Sequence, residues 1–139
     1  MADYWSHWIK TGQQAHVNLP KIYYVNWFRK DDEGQFMWPG FGENSRVLKW
    51  IFERCEGTAE AVETPIGNLP NIDGIDFSGL GLSDTEVAEL LRVEVDGWLD
   101  EIPLIEEYYS SYGTHVPQEL LKELKELKER LNKAKLAAA

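Results

Sequence analysis

Residues 26–46 read NWFRKDDEGQFMWPGFGENSR, and this stretch decides how the surrounding chain folds. Upstream, residues 21–29 are dense in β-branched and aromatic types, and the polar run 30–34 separates them from a second such run at 35–38. This pattern predicts a β-hairpin, followed by a turn-rich segment at 39–42. Five aromatic side chains fall within fifteen residues of it: Trp27, Phe28, Phe36, Trp38 and Phe41.

A helix is predicted directly after this stretch, from about residue 45 to residue 56, because apolar residues recur there at helical spacing. Asn44 is well placed to cap its start, and Gly57 to end it. Cys55 falls on the apolar face of this helix, which favours burial over reactivity.

Downstream of residue 57 the pattern is first irregular and then helical. Residues 58–82 are rich in Gly, Pro, Asn and Asp, with short extended pieces at 64–67 and 75–77. A short helix is predicted at 4–9 near the start of the chain, and another at 83–91, opened by a capping box at Ser83 and Glu86. A longer helix is predicted at 95–112, with Pro103 inside it. The last helix starts at about Pro117 and carries an apolar stripe formed by Leu120, Leu124, Leu127 and Leu131. The predicted fold class is α+β: a β-hairpin and short strands with several C-terminal helices.

The amino-acid composition limits which classes of protein this chain can belong to. With 43% hydrophobic residues the chain of 139 residues fits one compact domain with a core. Its net charge of -10 argues against a nucleic-acid partner, and no run is long and apolar enough for a membrane span. Residues 1–57 carry seven basic and seven acidic side chains, so an anionic ligand suits that part best. A single cysteine gives no intrachain disulfide, which favours the cytoplasm.

The aromatic stretch has two interpretations. It forms either an aromatic core that joins hairpin and helix, or a slot whose aromatic faces stack a planar ligand while a nearby amide reads its edge. Asn44 suits the second role, because a carboxamide presents a donor and an acceptor side by side. It suits helix capping equally well. Gly40 and Gly42 either admit a close approach of ligand to backbone or satisfy a turn.

Other constellations are weak. His7, His16 and His115 have no metal-ligand spacing, and the phosphate-cradling pattern GxxxxGK[ST] is absent from the sequence. The acidic pairs at 31–32 and 106–107 are expected to be solvated charge. The last helix is expected to pack on a core, since barely two heptads are available for a partner coiled coil.

Three motifs, in order and at matching spacing, closely resemble the GTP-type phosphoenolpyruvate carboxykinases: LPKI at 19–22, VNWFR at 25–29 and WPGFGENSRVL at 38–48. The resemblance continues through ETPIG at 63–67 and the helix with Trp98, so it covers essentially the whole chain. It implies the final quarter of a nucleotide-binding C-terminal domain, with a guanine-binding part at 21–57 and a helical part at 83–136. The family converts oxaloacetate and GTP to phosphoenolpyruvate, CO2 and GDP with Mn²⁺ or Mg²⁺.

By that resemblance Phe28 and Phe41 sandwich guanine, Phe36 closes its edge, and Gly42, Glu43 and Asn44 complete the segment whose backbone and amide contacts distinguish guanine from adenine. The family's metal ligands, phosphate loop and substrate-binding arginines precede this segment. The chain is therefore expected to hold no catalytic residue and no metal, and to be inactive alone.

The parent is expected to be a monomeric, cytoplasmic lyase of gluconeogenic or anaplerotic metabolism, which meets GTP and oxaloacetate or phosphoenolpyruvate jointly through this segment and the preceding sequence, without nucleic acid or membrane. Two rival hypotheses stay open. One is a free-standing purine- or peptide-binding module, and the other is a structural interaction domain joined through its last helix.

Overall fold

The computed structural model describes residues 1–14, 16 and 18–138. Five helices and one antiparallel two-stranded sheet in this part of the chain confirm the α+β class. In chain order the elements are α1 (Ala2–Gly12), α2 (Asn44–Glu56), β1 (Val62–Thr64), β2 (Gly67–Leu69), α3 (Asp84–Leu91), α4 (Val95–Ser110) and α5 (Gln118–Ala138), with 3₁₀ turns at Phe41–Glu43 and Gly113–His115. The chain divides into two compact units, Met1–Pro20 with Glu94–Ala139, and Lys21–Val93.

The first unit is built on the pairing of α4 with α5. Its most deeply buried side chains are Ile102 and Leu131, one from each of these helices. Leu124 is also buried, and Leu120 and Leu127 are half-buried, so the predicted leucine stripe is confirmed. Pro103 lies inside α4 without splitting it.

Helix α1 packs aromatic side chains within the same unit. The ring centroid of Trp5 lies 5.8 Å from that of Tyr109 and 5.1 Å from that of Tyr112. The predicted helix is confirmed. Tyr4 and Trp8 lie on its outer side, since they are 64% and 61% exposed. The inward side consists of Ala2, Trp5 and Ile9, at the spacing of one helical face.

In the second unit, residues 21–26 adopt no regular secondary structure and have no strand partner among the described residues. Basic side chains hold both ends of the 21–29 segment against the C-termini of helices. Lys21 Nζ donates to the carbonyl of Arg54 at 2.9 Å in α2, and Arg29 Nη1 donates to the carbonyl of Leu90 at 3.0 Å in α3. The last carbonyls of a helix lack intrahelical partners and carry partial negative charge, so both contacts stabilise the unit.

The hairpin predicted for 21–38 is wrong in extent. Only the isolated bridge between Lys30 and Phe36 forms there, closed by the turn at 31–34. The reason lies at Asn26, whose side-chain oxygen accepts the backbone N–H of Phe28 at 3.0 Å and turns the chain before a ladder can form.

The two-stranded sheet lies at 62–69 instead, with Val62 opposite Leu69 and Thr64 opposite Gly67. Of the two short extended pieces predicted for the irregular region, 64–67 is the turn end of this hairpin. The other, 75–77, forms no strand in the described chain, and Ile75 is buried in the core of the second unit.

Helix ends follow local chemistry. The capping box is confirmed, since Ser83 accepts the backbone N–H of Glu86 while the Glu86 carboxylate accepts that of Ser83. Gly57 ends α2 with φ of 78°, as predicted. The predicted burial of Cys55 is wrong: it lies in the last turn of α2, exposed, with its thiol 3.9 Å from the hydroxyl of Tyr23.

Substitution of Leu131 by alanine should destabilise the first unit, because this side chain is 0% exposed. We expect a loss of about 2–5 kcal/mol in the free energy of unfolding, measured by chemical denaturation. Leu136→Ala is the matched control on the same helix, since Leu136 is 79% exposed, and it should change stability by less than ~0.5 kcal/mol. Equal effects of the two substitutions would contradict this assignment of the core.

Candidate functional site

The aromatic stretch divides by residue type. Trp38 is buried and its ring centroid lies 6.0 Å from that of the half-buried Trp27, so the tryptophans belong to the core of the second unit. The three phenylalanines remain outside: Phe28, Phe36 and Phe41 are 72%, 59% and 91% exposed. Exposed rings gathered on one short stretch of chain are typical of an interaction surface.

Two of these phenylalanines form a pair. The rings of Phe28 and Phe36 are 6.1 Å apart between centroids and meet edge to face, and Lys30 Nζ lies 5.0 Å above the Phe36 ring. The bridge between Lys30 and Phe36 sets this arrangement, because it brings the two sides of the 31–34 turn together. The pair therefore depends on backbone geometry as well as on ring contact.

Arg29 anchors that pair to α3. Its guanidinium donates to the carbonyl of Arg92 at 2.9 Å as well as to that of Leu90, and it meets the carboxylate of Glu89 at 3.1 Å. Its own backbone carbonyl accepts the N–H of Met37 at 2.9 Å. The hydrogen bond from Arg92, together with the charges of Arg92 and Arg29, holds the pKa of the Glu89 carboxyl below its ordinary value. Sequence reasoning missed this role, since a single arginine after an aromatic run carries no signal of its partners.

A 3₁₀ turn presents the third phenylalanine. Gly40 precedes it with φ of 129°, a conformation that side chains rarely adopt, and its carbonyl accepts the N–H of Glu43 at 3.1 Å. A Cβ at Gly42 would meet no described atom within 4 Å. Packing therefore does not require a glycine at 42, and the backbone there is open to close approach.

Asn44 does not cap α2 with its side chain, so the predicted cap is wrong: the residue before the helix is Glu43, and Asn44 is the first helical residue. The Asn44 carboxamide oxygen instead accepts the indole N–H of Trp38 at 2.8 Å. This bond joins the buried tryptophan to the start of the helix.

The neighbouring acidic residue, Glu43, forms an ion pair. The carboxylate of Glu43 meets Arg46 Nε at 2.6 Å, and Arg46 also donates to the backbone carbonyl of Asp76 at 2.7 Å. Hydrogen bonds from Ser78, and to a lesser extent the charge of Arg46, lower the pKa of Asp76. Glu43 is thus engaged both through its carboxylate and through its backbone N–H, which donates to Gly40.

The sequence-predicted site residues are close along the chain, but they do not all meet. Phe28 and Phe36 are in contact, whereas Phe41 makes no ring contact with another described aromatic side chain. An open cleft of about 1110 Å³ in the second unit lies beside the 71–79 loop and is lined by none of the six predicted residues. His7, His16 and His115 join no metal-binding group, since within residues 1–14, 16 and 18–138 no three His, Cys, Asp or Glu side chains are placed to hold an ion.

Chemically, the arrangement offers exposed aromatic faces, an open backbone at Gly42 and an amide whose oxygen is already engaged. It can stack a planar ring and donate hydrogen bonds to its edge. None of the helices in the described part of the chain combines the length and the hydropathy that a bilayer crossing requires.

Several known proteins are similar in sequence to this chain. Residues 1–130 match the family model of the phosphoenolpyruvate carboxykinase C-terminal P-loop domain. A phosphoenolpyruvate carboxykinase (GTP) of Treponema pallidum (strain Nichols) is 53% identical over 99% of this chain and 23% of its own length. The enzymes of that name from Renibacterium salmoninarum and Chlamydia pneumoniae are 48% and 46% identical over 93% and 94% of this chain, and 21% and 22% of their own lengths.

The chain therefore belongs to the GTP-type phosphoenolpyruvate carboxykinase family, which confirms the resemblance drawn from its motifs. It spans less than a quarter of the length of these relatives.

Arg29→Ala should weaken the second unit, because it removes the donor to the carbonyls of Leu90 and Arg92 and one of the two arginines that meet Glu89. We expect the free energy of unfolding to fall by about 1–3 kcal/mol in chemical denaturation. Arg29 contributes to the lowered pKa of Glu89, after the larger effect of Arg92. The lowered pKa stabilises the fold above the ordinary carboxyl pKa, and this contribution is lost as pH falls through the lowered value. The difference in the free energy of unfolding between Arg29→Ala and wild type should therefore become smaller at acidic pH.

Arg29→Lys is the graded control, since an ammonium keeps the charge but cannot reproduce the planar fork. It should recover part of the loss. A change below ~0.5 kcal/mol for Arg29→Ala would mean that the guanidinium contacts contribute nothing to the fold.

Proposed function

We propose that this chain is the guanine-binding segment of a GTP-dependent phosphoenolpyruvate carboxykinase, a lyase that converts oxaloacetate and GTP to phosphoenolpyruvate, CO2 and GDP. The observation that carries the proposal is the exposure of Phe28, Phe36 and Phe41 beside a buried tryptophan core, in a chain that belongs to this family.

The site residues of the proposal are Phe28, Phe36, Phe41, Gly42, Glu43 and Asn44. Phe28 and Phe41 would stack on the two faces of the base, and Phe36 would close its edge, where its contact with Phe28 supports that role. The absence of a ring contact at Phe41 is compatible with a sandwich, whose two rings stand apart when no base lies between them. The open approach at Gly42 and the amide of Asn44 would supply the edge contacts.

In the parent enzyme this segment would position the nucleotide. Oxaloacetate loses CO2 to give an enolate, and the enolate oxygen takes the terminal phosphoryl group of GTP while GDP leaves. A base held firmly at one end of the nucleotide restricts where that phosphoryl group can lie, which lowers the entropic part of the barrier. The segment alone is expected to be inactive.

The Mn²⁺ or Mg²⁺ of the proposed reaction would supply charge stabilisation at the phosphates. The described residues of this chain do not fit such an ion, because no group of three His, Cys, Asp or Glu side chains converges on one point. We therefore assign the metal and the phosphate contacts to the preceding part of the parent. A cytoplasmic, monomeric parent without nucleic-acid or membrane partners remains part of the proposal, supported by the acidic composition and single cysteine.

Phe28→Ala and Phe41→Ala in the full-length enzyme should each raise the KM for GTP by about tenfold, because each removes one stacking face. The KM for oxaloacetate should stay nearly unchanged. The double variant should lose less than the sum of the two free-energy effects, since the slot is already open after the first truncation. Steady-state kinetics with both substrates measures all three quantities.

Phe52→Ala is the matched control. Phe52 is an exposed phenylalanine of the same unit, about 12 Å further along the α2 axis than Asn44. Its loss should leave both KM values unchanged. If Phe28→Ala and Phe41→Ala impair GTP and oxaloacetate equally, the phenylalanines serve the fold and the proposed base site is wrong.

A further inference from the structure

The bond between Trp38 and Asn44 has a direction that chemistry fixes. An indole N–H can only donate, so it can meet only the oxygen branch of a carboxamide. The 2.8 Å contact therefore assigns the two branches of the Asn44 amide: the oxygen faces Trp38 and the NH2 group faces the other way. Without the indole, oxygen and nitrogen could exchange places by rotation about one bond.

Packing keeps this orientation in place. Trp38 is buried, and its ring packs against Trp27 at 6.0 Å. A flipped amide would set its own N–H groups against the indole N–H and leave a buried donor without an acceptor. The NH2 branch of Asn44 is accordingly preset as a pair of donors.

Guanine and adenine differ at the edge that such donors can read. Guanine presents two acceptors there, O6 and N7, whereas adenine replaces O6 with an amino group that is itself a donor. A preset NH2 group can pair with guanine O6 and meets a like donor at the adenine amino group. The identity of the base is then decided by which way the amide faces.

We propose that Trp38 is a specificity-determining positioning residue: by engaging the Asn44 oxygen it presents the NH2 group to the base and so favours guanine over adenine. This inference rests on the proposed function, because it assumes that the base lies beside Asn44. Trp38 itself touches no substrate in this account and acts only through Asn44.

The test is Trp38→Phe in the full-length enzyme, which keeps a buried ring and removes the indole donor. The ratio of kcat/KM for GTP to kcat/KM for ATP should fall about tenfold, the usual effect of losing one oriented hydrogen bond in a buried site. Inosine triphosphate retains O6 and N7, so its use should fall together with that of GTP. The KM for oxaloacetate should not change, which separates this effect from general damage to the fold.

Trp27→Phe is the matched control: it makes the same chemical change in the ring that packs against Trp38, and the Asn44 oxygen is bonded by the Trp38 indole, not by that of Trp27. It should preserve the GTP to ATP ratio. Equal loss of the ratio in the two variants would overturn the inference, because disturbed packing and not the lost donor would then be the cause.

Asn44→Asp tests the assigned orientation of the amide even if Trp38→Phe does not fold. One carboxylate oxygen still accepts the indole N–H, and the other now presents an acceptor where the NH2 group stood. The GTP to ATP ratio should fall more than tenfold, since this oxygen repels O6 and accepts from the adenine amino group.

A wild-type preference for GTP that survives Trp38→Phe with an unchanged melting temperature would overturn this inference and leave the proposed function standing. A preference that survives Asn44→Asp would overturn this inference together with the edge contact assigned to Asn44, and would leave the stacking role of the phenylalanines standing. A wild-type enzyme without any preference for GTP would overturn both.

Discussion

The second unit depends on the burial of one indole. Trp38 lies within the aromatic stretch, packs against Trp27 and bonds the first residue of α2, so a single side chain joins the turn region to the helix that follows. An indole is large enough to fill a small core and has one polar atom that must find an acceptor when buried. Asn44 supplies that acceptor, and the position of the 3₁₀ turn between them follows.

This arrangement divides the aromatic stretch by residue type. The tryptophans form the aromatic core, and the phenylalanines stay exposed to solvent. Leaving several rings in water forfeits the stabilisation that their burial would bring, about 25 cal/mol for each Å² of apolar surface. A surface that keeps such rings exposed on a rigid base is suited to stacking, and the cations Lys21 and Arg29 supply the rigidity by holding the 21–29 segment to two helix ends.

The helices could be predicted from the sequence because their signals are local. The capping box at Ser83, the stop at Gly57 and the stripe that includes Leu124 and Leu131 each depend on residues within a few turns of one another. The prediction of a hairpin at 21–38 was wrong in extent because the Asn26 side chain competes for a backbone N–H. The hydrophobic pattern of a sequence gives no sign of such competition. The predicted burial of Cys55 was wrong because helical periodicity identifies the apolar face of a helix but does not show how far along the helix other residues cover that face.

The sequence alone names candidate residues for the site but does not give their geometry. Motif resemblance picked out Phe28, Phe36 and the 41–44 segment, and the contact between the first two emerged only from the fold. The roles of Arg29 and Trp38 had no signal, since each acts on a partner that the fold selects. The central claim, that guanine lies against this stretch, is tested most directly by photolabelling the full-length enzyme with 8-azidoguanosine triphosphate and mapping the labelled peptides. The account predicts label within residues 26–46, reduced by GTP and not by ATP; label confined to peptides outside this chain would contradict it.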